Sequence, residues 1–118
     1  MPEEKKKQKN LSKKQKALKS FEEGLLKTPA KQFLEKIILY GSLAWGKPTK
    51  ESDIDIVLIS KKPKLIDKLS EEIAFQTLLR HGELIEPLVY SKKEYQSPKS
   101  AILMKAILHG KEVYSKIV

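Results

Sequence analysis

Residues 39–58, LYGSLAWGKPTKESDIDIVL, carry two signals separated by a polar loop: a glycine-serine bend closing one apolar run, and a pair of aspartates opening another. The run Ile37-Ile38-Leu39-Tyr40 stops abruptly at Gly41, the pattern of a buried strand that ends in a turn. Asp53 to Ser60, DIDIVLIS, is rich in β-branched residues and lies between Ser52 and Lys61-Lys62-Pro63, which predicts a second strand. A strand ending in Gly41-Ser42 and turning into a short helix offers backbone N–H groups and a hydroxyl to a phosphate, and glycine has no Cβ to block its approach. As an isolated dipeptide, Gly-Ser is an ordinary turn. Asp53 and Asp55 are residues i and i+2 of a strand, so their carboxylates project to one face. Like charges that close repel unless a cation sits between them, and such oxygen donors suit Mg²⁺ or Mn²⁺. The bland alternative has one aspartate capping the strand while the other is solvated.

Outward from this segment, Leu11, Leu18, Phe21, Leu25 and Leu26 recur at helical spacing and predict a first helix ending near Thr28-Pro29. Residues 1–10, MPEEKKKQKN, offer little to a core and are expected to form a disordered Lys-rich tail, leaving 11–118 as a single domain. Leu65 to Arg80 has helix-compatible spacing, with Gly82 placed to end the helix. Glu83 to Tyr90 is a third strand candidate, and Pro87 marks it as an edge strand. Ser97-Pro98 reads as N-cap and first residue of a last helix ending near Gly110, followed by an extended segment from Glu112 to Val118. That order predicts an α/β (α+β) domain with a small sheet.

At 118 residues and 13.5 kDa there is room for one core. The formal charge is +9, but eight of the 24 basic residues and only two of the 15 acidic ones fall in residues 1–20. The basicity therefore belongs mainly to the amino-terminal segment. The absence of cysteine excludes disulfide scaffolds, thiolate metal sites and thiol nucleophiles. No apolar run has the length of a membrane span or of a signal-peptide core, so a soluble, cytoplasmic protein without membrane contact is expected.

The order Gly41-Ser42-Leu43-Ala44-Trp45-Gly46, then Ser52-Asp53-Ile54-Asp55-Ile56, resembles the nucleotidyltransferase superfamily typified by DNA polymerase beta. Within it, the wording is most similar to the small stand-alone minimal nucleotidyltransferases, the MNT family. The resemblance implies a small mixed sheet with helices packed mainly on one face. It also implies a third carboxylate on a later strand, for which Glu83 and Glu86 compete. Three apart on a strand, they face opposite sides; Glu86 lies inside the strand, whereas Glu83 adjoins Gly82 at its expected solvated start. An edge-strand charge that blocks aggregation is the plain alternative for Glu86. Small family members commonly carry Arg where this chain has Trp45, and a tryptophan cannot supply that charge; packing is its expected role. Lys47 and Lys50 in the loop are possible substitutes. His81 and His109 precede glycines at expected helix ends, where capping explains them.

The resemblance further implies nucleotidyl transfer from an NTP, with ATP expected. Asp53, Asp55 and Glu86 would bind two Mg²⁺ ions, and Gly41 and Ser42 would hold the β- and γ-phosphates. The implied partner is a HEPN-type helical toxin, bound or adenylylated by this chain as antitoxin. The expected last helix, with Ala101, Ile102, Leu103, Met104, Ala106, Ile107 and Leu108, is apolar almost all round, which fits either two-sided burial or a contact surface. The alternatives are an enzyme acting on a small molecule or RNA, and a nucleotide-binding module of weak or no activity. The Lys-rich tail adds the prospect of weak, salt-sensitive RNA contact.

Overall fold

The computed structural model describes residues 2–46 and 48–116, with side chains from residue 9 onward. In chain order it contains helix α1 (Pro2–Leu26), a 3₁₀ turn (Pro29–Phe33), strands β1 (Leu34–Tyr40) and β2 (Ile54–Ser60), helix α2 (Pro63–His81) and strand β3 (Ile85–Ser91). Two short helices follow, α3 (Lys92–Gln96) and α4 (Ala101–His109), then strand β4 (Lys111–Ser115).

The four strands form one mixed sheet in the order β3-β2-β1-β4. β1 is antiparallel to both neighbours, while β2 and β3 run parallel, joined by α2 in a crossover. Pro87 falls on edge strand β3, where a residue lacking N–H leaves no inner ladder broken. Alternation along the strands builds two layers. Ile37, Leu39, Ile54, Ile56, Leu58 and Ile85 face α1 and α2, whose Leu18, Phe21, Leu25, Ile66 and Ile73 complete the main core. Close packing of the two long helices uses Gly24, where an added Cβ would stand 3.1 Å from Ile73 Cγ2. On the other face, Ile38, Val57 and Ile59 receive Leu103 and Ala106 of α4. The long helices thus cover one face and the short ones only part of the other.

Gly82 ends α2 as the sequence indicates, with φ +69° and its N–H donating to the Leu78 carbonyl at 2.8 Å. Three local expectations differ. The last helix starts after Ser100, whose Oγ accepts the Leu103 N–H at 3.3 Å, and not at Ser97-Pro98. Ser97 instead closes α3, a helix begun by a reciprocal capping box between Ser91 and Glu94, both bonds 3.0 Å. The bend after Gly41 is a run of turns over residues 41–46 and not a short helix. Helical backbone also begins at Pro2, where composition leads to a tail; Lys, Gln and Glu are good helix formers and continue the turns amino-terminally. Packing against the core begins at Leu11. The side chains of Lys5, Lys6 and Lys7 lie outside the described residues, as does Lys47. Among the described residues, no helix is long and apolar enough to cross a membrane.

Candidate active site

Registered pairing puts Tyr40 of β1 opposite Asp55 of β2, and Asp55 beside Glu86 of β3. Directly paired residues in neighbouring strands share a face, so the three side chains form a row. They stand on the sheet face that also carries α4, with Tyr40 packed against the cluster that Leu103 and Ala106 form there. Asp53, immediately before β2 and two residues from Asp55, lies close enough that its charge raises the Glu86 carboxyl. Glu86 thus lies on the same face of the sheet as Asp55, with Asp53 close by.

Glu83 is elsewhere. Contrary to a solvated start of the strand, it is buried, 6% exposed, and its Oε2 accepts a hydrogen bond from the Lys14 ammonium at 2.6 Å. Glu83 is thus engaged by Lys14 in the interior, apart from the acidic row. Lys14 also donates to the Ser52 carbonyl at 2.5 Å. This lysine was not among the candidates legible in the sequence. Its signal was positional: Leu11, Lys14, Leu18, Phe21 and Leu25 follow one helical stripe, and Lys14 occupies an apolar place within it.

The electrostatics of the row are those of crowded anions. Partial burial, and then the charge of Asp53, hold the Asp55 carboxyl above the usual aspartate range. The Glu86 carboxyl is likewise raised, by desolvation first, then by the charges of Asp53 and Asp55. Tyr40 is pushed up to about 12 by burial, with Asp55, Tyr90 and Glu86 adding to the effect, so it stays a neutral phenol beside the acids. None of the three carboxylates has a Lys, Arg or His partner within salt-bridge distance among the described residues. Unpaired, mutually repelling oxygen donors fit a hard divalent cation. As positioned, no three acidic or histidine side chains among the described residues already surround a common point, so the fit rests on the chemistry of the donors and their shared face.

The glycine-serine bend adjoins this row. Gly41 has φ +78°, and a Cβ there would lie 2.6 Å from Asp55 Oδ2. The Trp45 N–H donates to the Gly41 carbonyl at 3.3 Å and the Gly46 N–H to the Leu43 carbonyl at 3.2 Å. Buried Leu43 and Ala44 anchor the turn in the core, while Ser42 stays half-buried and within a ligand's reach. Trp45, expected to pack, is 61% exposed, because the turn directs the neighbouring Leu43 and Ala44 inward instead. Lys50 is exposed on the loop. His81 and His109 lie in the last turns of α2 and α4, as capping requires.

The chain resembles known proteins in sequence and in shape. Over 69 residues it is 36% identical to the Methanocaldococcus jannaschii protein named putative protein adenylyltransferase MJ0141, covering 57% of this chain and 70% of that one. A second protein of that organism, named putative protein adenylyltransferase MJ0604, is 35% identical over 79 residues, covering 67% and 75% of the two chains. The fold is similar to that of a mutant of the toxin–antitoxin complex MntA–HpeT, with a TM-score of 0.58 at 18% identity, over 87% of this chain and 73% of the other. With the nucleotidyltransferase domain family matching residues 18–109, a span holding both the bend and all three carboxylates, the chain belongs to that family.

Proposed function

We propose that this chain is a minimal nucleotidyltransferase that moves AMP from ATP to a hydroxyl, and that its acceptor is a tyrosine on a HEPN-type helical partner for which it serves as antitoxin. The observation that carries the reading is the acidic row, Asp55 and Glu86 in register with Asp53 close by, beside the Gly41-Ser42 bend. The acceptor oxygen attacks the α-phosphorus, the bond to the β-phosphate oxygen breaks, and pyrophosphate leaves. Asp53, Asp55 and Glu86 are the residues that would hold two Mg²⁺ ions, which when bound supply Lewis-acid polarisation of the phosphate and neutralise its charge. Glu86, its carboxyl raised above the ordinary range, accepts the proton of the acceptor hydroxyl. Gly41 and Ser42 hold the β- and γ-phosphates, the half-buried hydroxyl donating, while the missing Cβ of Gly41 lets the bend approach the Asp55 carboxylate.

A protein acceptor is supported by the names of the two archaeal relatives, both of which read "putative protein adenylyltransferase". Helix α4 adds to this: Ile102, Met104, Ile107 and Leu108 are exposed while only Leu103 and Ala106 are buried, so one side awaits a cover. Incubation with ATP labelled at the α-phosphate, Mg²⁺ and the helical partner tests the proposal. Label on a partner tyrosine, lost with Asp53→Asn or Asp55→Asn, supports it. Label on RNA or a small molecule would redirect the acceptor, and ATP binding without transfer would favour the non-catalytic module that exposed Trp45 allows.

A further inference from the structure

We propose that the buried Lys14–Glu83 pair is a clamp that positions the acidic row, tying the ends of β2 and β3 that carry the carboxylates to helix α1; this rests on the assignment of Asp53, Asp55 and Glu86 to the site. The Lys14 side chain is 1% exposed and reaches two acceptors, the Ser52 carbonyl at 2.5 Å and Glu83 Oε2 at 2.6 Å. Ser52 directly precedes Asp53, and Glu83 stands three residues before Glu86. Between these anchors the Ile54 N–H donates to the Leu84 carbonyl at 2.8 Å, joining the two strand ends. One ammonium thus closes a ring through both segments that deliver carboxylates.

Burying an ion pair is a poor way to gain stability, since well-packed apolar residues of similar volume commonly do as well. What Lys14 supplies and an apolar side chain cannot is direction: its several N–H donors fix a backbone carbonyl and a carboxylate at once. The row needs such a tie. Three carboxylates without cationic partners push apart the strand ends that hold them, and displacement of a reacting geometry by about 1 Å is enough to cost roughly a hundredfold in rate. The pairing also silences Glu83, which would otherwise add another negative charge near the site. Lys13, 3.9 Å from Glu83 Oε1 and half-exposed, reinforces the pair from the surface.

The test compares wild type with Lys14→Met/Glu83→Met, which removes both charges together and leaves neither partner orphaned. A clamp predicts a folded variant in which the Ile54 amide exchanges with solvent at least tenfold faster while the amides of residues 57–59 are unchanged. It also predicts that Mn²⁺ binding, followed by calorimetry, weakens at least tenfold, with Lys14→Arg retaining more affinity than the double variant. Unchanged exchange and unchanged Mn²⁺ affinity would overturn the clamp, leaving the pair as packing alone. A double variant that does not fold would also overturn it, because the pair would then be a stability element. Faster exchange at Ile54, combined with full transfer activity in Asp55→Asn, would keep the clamp and refute the site assignment.

Discussion

Gly41 and Asp55 meet so closely that any side chain at position 41 would collide with the carboxylate, a Cβ standing 2.6 Å from Oδ2. The glycine is doubly required, since its φ of +78° strains an L-residue by about 1–2 kcal/mol. Gly41→Ala is therefore expected to lower the melting temperature by several degrees and to reduce nucleotidyl transfer by at least about a hundredfold, through displacement of Asp55. Melting curves and initial rates check the two effects separately.

The two glutamates of the third-strand region separate by function. Glu86→Gln is expected to abolish transfer while leaving thermal stability unchanged or raised, since it removes one of three repelling charges. Glu83→Gln should do the reverse to stability, because it leaves the Lys14 charge buried without its partner, at a cost of about 3–5 kcal/mol. Asp55→Asn should reduce transfer roughly a thousandfold, the equivalent of about 4 kcal/mol of transition-state stabilisation. Chemical denaturation alongside labelled-ATP assays distinguishes the three variants.

The pH dependence follows from the raised carboxyls of Asp55 and Glu86. A carboxyl that titrates higher in the folded chain binds its proton more tightly there than when unfolded. The metal-free protein gains this stability fully below the ordinary values of 3.8 and 4.5 and loses it as pH rises through the folded values. Under the proposed function, Mg²⁺ would take the place of the protons. Adding it should raise the melting temperature at pH 7, by the equivalent of about 2.7 kcal/mol at a hundredfold excess over its dissociation constant, and have little effect at pH 4. The Asp55→Asn variant should show a flatter pH profile and a smaller Mg²⁺ response.

Trp45 replaces the arginine common among small members of the resembled family and leaves its indole 61% in solvent. An exposed side chain contributes little to folding, so Trp45→Arg should change stability by no more than about 0.5 kcal/mol. Under the proposed function, a cation beside the Gly41-Ser42 bend should lower KM for ATP several-fold. Steady-state kinetics at varied ATP measure this directly.

The parts of this site that were legible in the sequence are those written in local pattern. The aspartates lie in a β-branched run, the glycine-serine bend follows an apolar one, and Pro87 and Gly82 each state a backbone constraint that β3 and α2 obey. What was not legible depends on partners distant in sequence. Lys14 sits among surface lysines that look alike in composition, and the Ser52 carbonyl and Glu83, 38 and 69 positions away, explain its burial. Tyr40 became part of the site through pairing with Asp55, a register that no local pattern states. The division of the carboxy-terminal region into α3 and α4 was hidden because Ser91, Ser97 and Ser100 are all plausible caps, and the choice was made by Glu94 closing a box with Ser91.

A crystal structure with Mn²⁺ and a non-hydrolysable ATP analogue tests the central claim most directly. Anomalous density should appear among Asp53, Asp55 and Glu86, with the terminal phosphates against Gly41 and Ser42. Manganese bound away from those carboxylates, or a triphosphate lodged elsewhere on the sheet, would contradict the account.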